Sequence, residues 1–548
     1  MPPATGQIVP AASPPPLSPA AALRQQARLL AGLLALAFLT SACAPPHPGT
    51  SLIVASKARI DSLDPAQASR SGQMQVLSAL GDPLYAVAAD GSIEPRLASG
   101  PPVLSADGLR ARIPLRKGVQ FHDGTPFDAA AMVFSLQRFM AIGTLGYQFS
   151  DRVRAVRASG PFEIELELKA PFSPLPRLLS AIFLTPVSPT AYRSHADKPL
   201  NNRFVGTGPY SLSFFNGQQQ RLTPFPGYWG ARPANGGIDL VTLSNSTALL
   251  GALRSGEVDV LLASGLEIDH QQALHRDAAA GRLREGSGPP LSIGFFSLLT
   301  DQPPLNNLTL RQALARSLDR ATITERVSLG MRPPLRQLIP PSLPGSDPEA
   351  WPAYDPAAAR ALYRQAGYCN GKVFALPLTF RSDIPSDRLL ALTWQAQVRR
   401  DLGDCLELQV SGMESTTAYD QLGKGALTLF FYDWIGDYPD PENFLAPLLG
   451  CEKAEGDRCA KGNSALSGSF WSAPGLDAEL LRSSRIDGPE RARLLRAIQR
   501  RTAAAVPYLP VWLMAEQAWS GRQISAPQFD GSGRLRLDQL RRLPEARR

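Results

Sequence analysis

Residues 109–115 alternate in polarity: Leu109, Ala111, Ile113 and Leu115 are separated by Arg110, Arg112 and Pro114. A period of two predicts a half-buried strand. Asp107-Gly108 before it and Asp123-Gly124 after it are turn pairs whose residues tolerate positive φ. The rhythm then changes. Asp128 stands where a helix N-cap belongs, and Ala131, Phe134, Leu136 and Phe139 supply an apolar side. Further along, Leu310, Ala313, Leu314 and Leu318 share one helical face, and Leu390, Trp394 and Val398 share another. Asp355 is placed to cap a helix with Pro356 at its first position, which Gly367 can end. Strand-like runs fall at 162–168, 238–243, 374–380 and 427–432. After about residue 245 helices alternate with strands, which predicts α/β lobes. No internal repeat of 20–50 residues is evident.

The N-terminus has a different pattern. Residues 1–28 are rich in Pro and Ala and hold Arg24 and Arg28 but no acid. The apolar run 29–39 follows, then Thr40-Ser41-Ala42-Cys43. The run is too short to span a bilayer as a helix, which needs about 20 residues. It reads as a signal-peptide core with small residues before the cut, giving a leader over 1–42. Ser41-Ala42-Cys43 resembles a bacterial lipobox, whose Cys sulfur receives a diacylglycerol; Thr40 stands where the usual Leu would be, and Leu39 is one place earlier. Cys43 is therefore the expected lipidation site, with 43–50 as a flexible tether. Secretion by ordinary cleavage is the alternative.

Composition narrows the class. With 548 residues, 44% hydrophobic and 19% charged, the chain can bury more than one core. Two of the cations behind the +8 formal charge are in the leader, and no basic cluster is interleaved with aromatics. Nucleic acid is excluded as an expected partner. Without Cys43 four cysteines remain, an even number that suits two disulfides in an exported protein. Cys451–Cys459 would close a small polar loop, leaving Cys369–Cys405. Metal binding by these four is disfavoured, because they form no C-x-x-C and have no nearby His. No cofactor is expected.

The string Leu115, Arg116, Gly118, Val119, Phe121, His122, Asp123 and Gly124 resembles the signature of family 5 solute-binding proteins, the peptide- and nickel-binding receptors of ABC importers. Met132 stands where that family usually has an acid. Other segments resemble the family in its order. They are Leu63-Asp64-Pro65, Gly91 to Ala98, Val205-Gly206-Thr207-Gly208-Pro209-Tyr210, Tyr228-Trp229, Leu253 to Asp259, Arg311 to Arg320, and Tyr354 to Tyr368. The resemblance implies an α/β, two-lobed periplasmic-binding-protein-like fold of type II with an extra subdomain. Lobe I is expected over 51–290, with the subdomain at about 85–200. Lobe II is expected over 291–504, and 505–548 returns to lobe I and ends in a tail. It further implies a monomer, periplasmic or at the cell surface, that captures short peptides between closing lobes and delivers them to permease subunits in the membrane.

The resemblance also directs attention to site residues. The segment from Trp434 through Asp437, Tyr438, Asp440 and Pro441 to Phe444 resembles W-x-x-D-Y-x-D-P-x-x-F of peptide-binding members. There, the Asp three residues after the Trp holds the peptide α-ammonium, which here implies Asp437. An ammonium shut away from water needs a full negative partner. Asp440 reads as structural, and Trp434 as a cleft wall or a packing residue. Dipeptide-binding relatives place an Arg just after the strand that here ends at Phe380; Arg381 falls one place later, with Arg332 and Arg336 as weaker candidates. Ser105, Asp107 and His122 read as fold residues.

Rival readings change the ligand or the class. The same fold serves nickel chelates, haem, sugars or opines, and a sensor without transport is indistinguishable by sequence. An exported hydrolase is the rival from another class. No G-x-S-x-G, H-E-x-x-H or S-x-x-K motif sits on a suitable strand–turn–helix, and no P-loop Lys follows Gly206-Thr207-Gly208. No catalytic residue and no enzyme activity are expected.

Overall fold

A computed structural model describes residues 51–544. The leader, the tether and Cys43 lie outside the described residues. The described residues form one unit, built on two large sheets with separate apolar cores.

The first sheet has seven strands. Its centre is Leu52–Ser56, which pairs in parallel with Ile238–Thr242 on one side and Val260–Leu262 on the other. The run LIVAS suits a central parallel strand, covered on both faces, and Leu52, Val54 and Ala55 are all buried. Gln219–Pro224 and Tyr210–Asn216 extend one edge, and Gln517–Gly521 and Leu283–Ser287 the other, all antiparallel.

The second sheet has five strands in the order Leu406–Met413, Phe374–Arg381, Leu429–Ile435, Ser292–Leu298 and Tyr508–Met514. The helix Pro385–Leu402 links its first parallel pair and buries Leu390, Trp394 and Val398, the predicted face. Asp355 caps the helix Pro356–Gln365 by accepting from the Ala358 N–H at 2.9 Å. The sequence places the return to the first lobe at about residue 505. The strand Tyr508–Met514 instead completes the second sheet, its apolar residues matched to Ser292–Leu298 with Ile293 opposite Leu513. The chain therefore crosses twice, between Ser287 and Ser292 and between Met514 and Gln517.

A four-stranded antiparallel sheet stands apart from both. It contains the predicted alternating strand, Arg110–Pro114, with Ala111 and Ile113 buried and Arg110 and Arg112 exposed. Asp128 caps the helix Ala129–Ile142 by accepting from the Ala131 N–H at 2.9 Å. Met132 is fully buried on that helix, as an apolar side chain there should be. His122 joins this region to the first sheet: its ring meets the Gly208 carbonyl at 3.1 Å and accepts from the Gly206 N–H at 3.3 Å. Gly208 is pressed on the backbone of Leu80, where a Cβ would collide. The motif strings thus meet as packing. Disulfides join Cys369 to Cys405 and Cys451 to Cys459. Among the described residues no helix is long and apolar enough to cross a membrane.

Candidate functional site

The strand Leu429–Ile435 is buried as far as Tyr432 and then emerges. A loop follows over 436–441, and the helix Glu442–Leu449 begins. Pro439 and Pro441 remove two backbone donors, so the loop is ordered by its side chains. Asp440 is fully buried. It accepts two bonds from Arg491, at 2.6 and 2.8 Å, and one from the Glu442 N–H at 2.8 Å. Arg177, from the first core, lies 3.8 Å from the same carboxylate and donates to the Pro439 carbonyl at 3.0 Å. Glu442 accepts from Arg152 at 2.5 Å and from the Tyr438 hydroxyl. Tyr438 packs into the first core. The loop rises from the second sheet and docks against the first core.

Asp437 lies on this bridge. Its N–H donates to Asn443 Oδ1 at 2.8 Å, and its Oδ2 accepts from Gln148 Nε2 at 2.5 Å. Burial pushes the carboxyl above its ordinary range, against the opposing pull of Gln148, the more distant charge of Arg534, and Asn443. Among the described residues no cation forms a salt bridge with it. The Gln148 Oε1 is buried without a partner.

Two cavities flank the loop. The larger, about 640 Å³, is lined from both cores and both crossings, with Arg332, Arg381, Asp433, Trp512, Glu516 and Arg534 among its walls. The smaller, about 420 Å³, is walled by Tyr147, Tyr419, Tyr432 and Trp434. Asp433 lines both; Gly436 lines the larger and Tyr438 the smaller, while Asp437, the residue between them in the chain, lines neither. Trp434 is half-buried and donates from its indole to the Asn443 carbonyl at 2.8 Å, so it is both a wall and a tie.

Arg381 lines the larger cavity, but its guanidinium is already engaged. It donates to Asp387 at 2.7 Å, to the Tyr419 hydroxyl at 3.1 Å, and to Asp433. Arg332 is in the opposite condition. Its guanidinium lies over the Trp512 ring, 4.8 Å from the centroid. Burial pulls its pKa down, with Asp433 and Asp387 opposing from beyond contact distance. Trp512 itself requires Gly294 beside it, where a Cβ would meet the indole. Glu516, on the second crossing, has its pKa raised by burial and lowered by Arg534. Arg336 faces elsewhere and pairs weakly with Glu349 at 3.5 Å.

A half-buried acid with no salt bridge, two guanidiniums with no carboxylate contact among the described residues, and a cavity between two cores can hold a small charged solute. The model for "Bacterial extracellular solute-binding proteins, family 5 Middle" matches residues 92–456. The chain belongs to this family. The glutathione-binding protein GsiB of Escherichia coli is 26% identical over 494 residues, covering 88% of this chain and 92% of that one. Among solved structures, a dipeptide binding protein of a Pseudoalteromonas species in complex with Met-Leu has a TM-score of 0.74 at 21% identity. It covers 90% of this chain and 100% of its own. NikA of Brucella suis in complex with Fe(III)-EDTA has a TM-score of 0.78 at 22% identity, covering 90% and 99%. This family 5 protein accordingly has the two-lobed α/β fold of those binding proteins.

Several residues of the candidate site escape sequence reasoning. Gln148 and Arg152 come from a five-residue helix, Gly146–Ser150, and the turn after it, too short for a periodic signal. Glu516 and Arg534 enter from the C-terminal return, far from the loop they face. Asp387 had a usable cue: it falls in the first turn of the helix directly after Arg381.

Proposed function

We propose that this chain is the extracytoplasmic receptor of an ABC importer, and that it captures short peptides between its two lobes. The observation that supports this most directly is Asp437. It lies on the loop that bridges the cores, its pKa is raised by burial, and its hydrogen bonds are to neutral groups, with the charge of Arg534 beyond contact. The Gln148 amide occupies one direction from which an ammonium would approach. In this reading Asp437 anchors the peptide α-amine, Trp434 walls the cleft, and Arg332 meets the terminal carboxylate in the role first sought for Arg381. Glutathione for GsiB and Met-Leu for the dipeptide binding protein are ligands of the same kind.

The lobes of this proposal divide at the two crossings, which act as the hinge. Peptide main chain paired with strand edges and water-filled side-chain pockets would admit varied sequences. Lipid on Cys43 would hold the monomer at the membrane beside its permease, in the periplasm or at the cell surface.

A second reading has its own observation. Arg332 and Arg534 face the larger cavity without carboxylate contacts among the described residues. That suits a carboxylate-rich metal chelate as well as a peptide C-terminus. Calorimetry with Met-Leu, glutathione and Fe(III)-EDTA separates the two. Heat with either peptide and none with the chelate is expected, and binding of the chelate alone overturns the peptide reading.

A further inference from the structure

The smaller cavity has a composition that the general capture of peptides does not explain. Tyr147 and Tyr419 face it from opposite cores and remain 55% and 43% exposed. Tyr432 and Trp434 complete the walls. Three carboxylates line the same space, those of Asp151, Asp433 and Glu442, against one guanidinium, Arg152. That guanidinium is consumed by Glu442. Arg381, which meets Asp433, is shared with a second acid, Asp387. Asp151 makes no ion pair among the described residues. Aromatic faces attract a cation through their quadrupoles, and a nearby carboxylate adds to the attraction.

We infer that this cavity is a side-chain subsite for a cation: an aliphatic stem lies between the tyrosines and an ammonium or guanidinium reaches Asp151 and Asp433. The inference rests on the peptide reading above and adds a preference for Lys or Arg. The cavity volume of about 420 Å³ accommodates such a side chain with water beside it. The site is distinct from the Asp437 anchor, which does not line the cavity.

The test scans Lys, Arg, norleucine and Glu through each position of trialanine and measures affinity by calorimetry. At one position the Lys and Arg peptides should bind about tenfold tighter than the norleucine peptide, which has nearly the same stem without the charge. The Glu peptide should bind weakest there. Asp151→Asn, at an exposed position, and Tyr147→Leu should each shrink the Lys-to-norleucine ratio toward one, while the norleucine affinity in Asp151→Asn stays near that of the parent. Equal Lys and norleucine affinities at every position overturn the subsite and leave the peptide reading standing, as does a preference that survives both variants. If no tripeptide binds, n-butylammonium is the remaining probe. Binding that Asp151→Asn weakens keeps the subsite and removes the peptide reading, and no binding removes both.

Discussion

Replacing Asp437 by Asn isolates the charge proposed to hold a peptide amine. The Asn side chain is nearly the same size, and its carbonyl can still accept from Gln148 Nε2. The main-chain N–H keeps its bond to Asn443. The loop is tied elsewhere by Asp440 and Glu442, so the fold should be indifferent to the change. Losing one partner of a desolvated charge pair costs about 2–5 kcal/mol. Asp437 is partly covered, which favours the lower end, about 2–3 kcal/mol, or roughly 30- to 150-fold in Kd. The assay is calorimetry with Met-Leu and N-acetyl-Met-Leu on both proteins. The parent should prefer the free amine by that factor, and the variant should bind the two alike. An unchanged preference in the variant would remove Asp437 from the site. The pH dependence carries a second sign. Burial raises the carboxyl pKa, so the neutral acid accumulates at higher pH than for an exposed Asp. An ammonium needs the carboxylate, so affinity should fall as pH drops through that raised pKa. In that window binding expels a proton, and the measured heat should track the ionisation enthalpy of the buffer. Both effects should vanish in Asp437→Asn.

Asp440→Ala leaves the guanidinium of Arg491 buried without its carboxylate and should cost about 3–5 kcal/mol in urea denaturation. Asp420→Ala breaks a pair in which Asp420 and Lys424 are 53% and 62% exposed, and should cost less than about 1 kcal/mol; equal losses in the two variants would refute the reasoning. Arg381→Ala should lower stability, because Asp387 and Asp433 lose their shared cation, whereas Arg332→Ala should weaken Met-Leu binding with the urea midpoint little changed. The reverse pattern would restore Arg381 as the ligand anchor. Cys43→Ser should abolish palmitate labelling in cells and release the protein from membranes, and an unlabelled parent would reject the lipid anchor.

Periodicity alone made the local elements legible. Ala111 and Ile113 are buried and their Arg neighbours are not, as alternation requires. Asp128 and Asp355 cap the helices they precede because a short carboxylate reaches the free N–H groups of the first turn. The site was legible only in part. The Trp434–Phe444 string marks the loop, yet the groups that order it are Arg152, Arg177 and Arg491, hundreds or dozens of residues away. An Arg–Asp contact between distant segments leaves no period and no spacing in the chain. The same blindness affects Arg381, whose type and place suited a carboxylate anchor, while Asp387 and Asp433 had already claimed its donors. The return point shifted for a related reason, since an apolar run such as 508–514 suits either sheet until its partner is known.

The four acids of the strand end, loop and helix start are the most telling residues of the chain when compared with one another. Asp433 has Arg381, Asp440 has Arg491 with Arg177 nearby, and Glu442 has Arg152. Each is matched by a guanidinium within 4.0 Å. Among the described residues Asp437 has no guanidinium within that distance: Gln148 donates to it, Arg534 acts only from further away, and burial disfavours its charge. A fold that merely needed acids as turn formers has no reason to treat this one differently, and replacing it by Asn would relieve the desolvation at little structural cost. A carboxylate at the junction of two cores with no guanidinium in contact among the described residues, only the more distant charge of Arg534, is tolerable when a cation arrives from outside to complete it. In the proposed reading ligand binding and lobe closure would be one event, because a cation that neutralised Asp437 would displace or join Gln148 across the boundary between the cores.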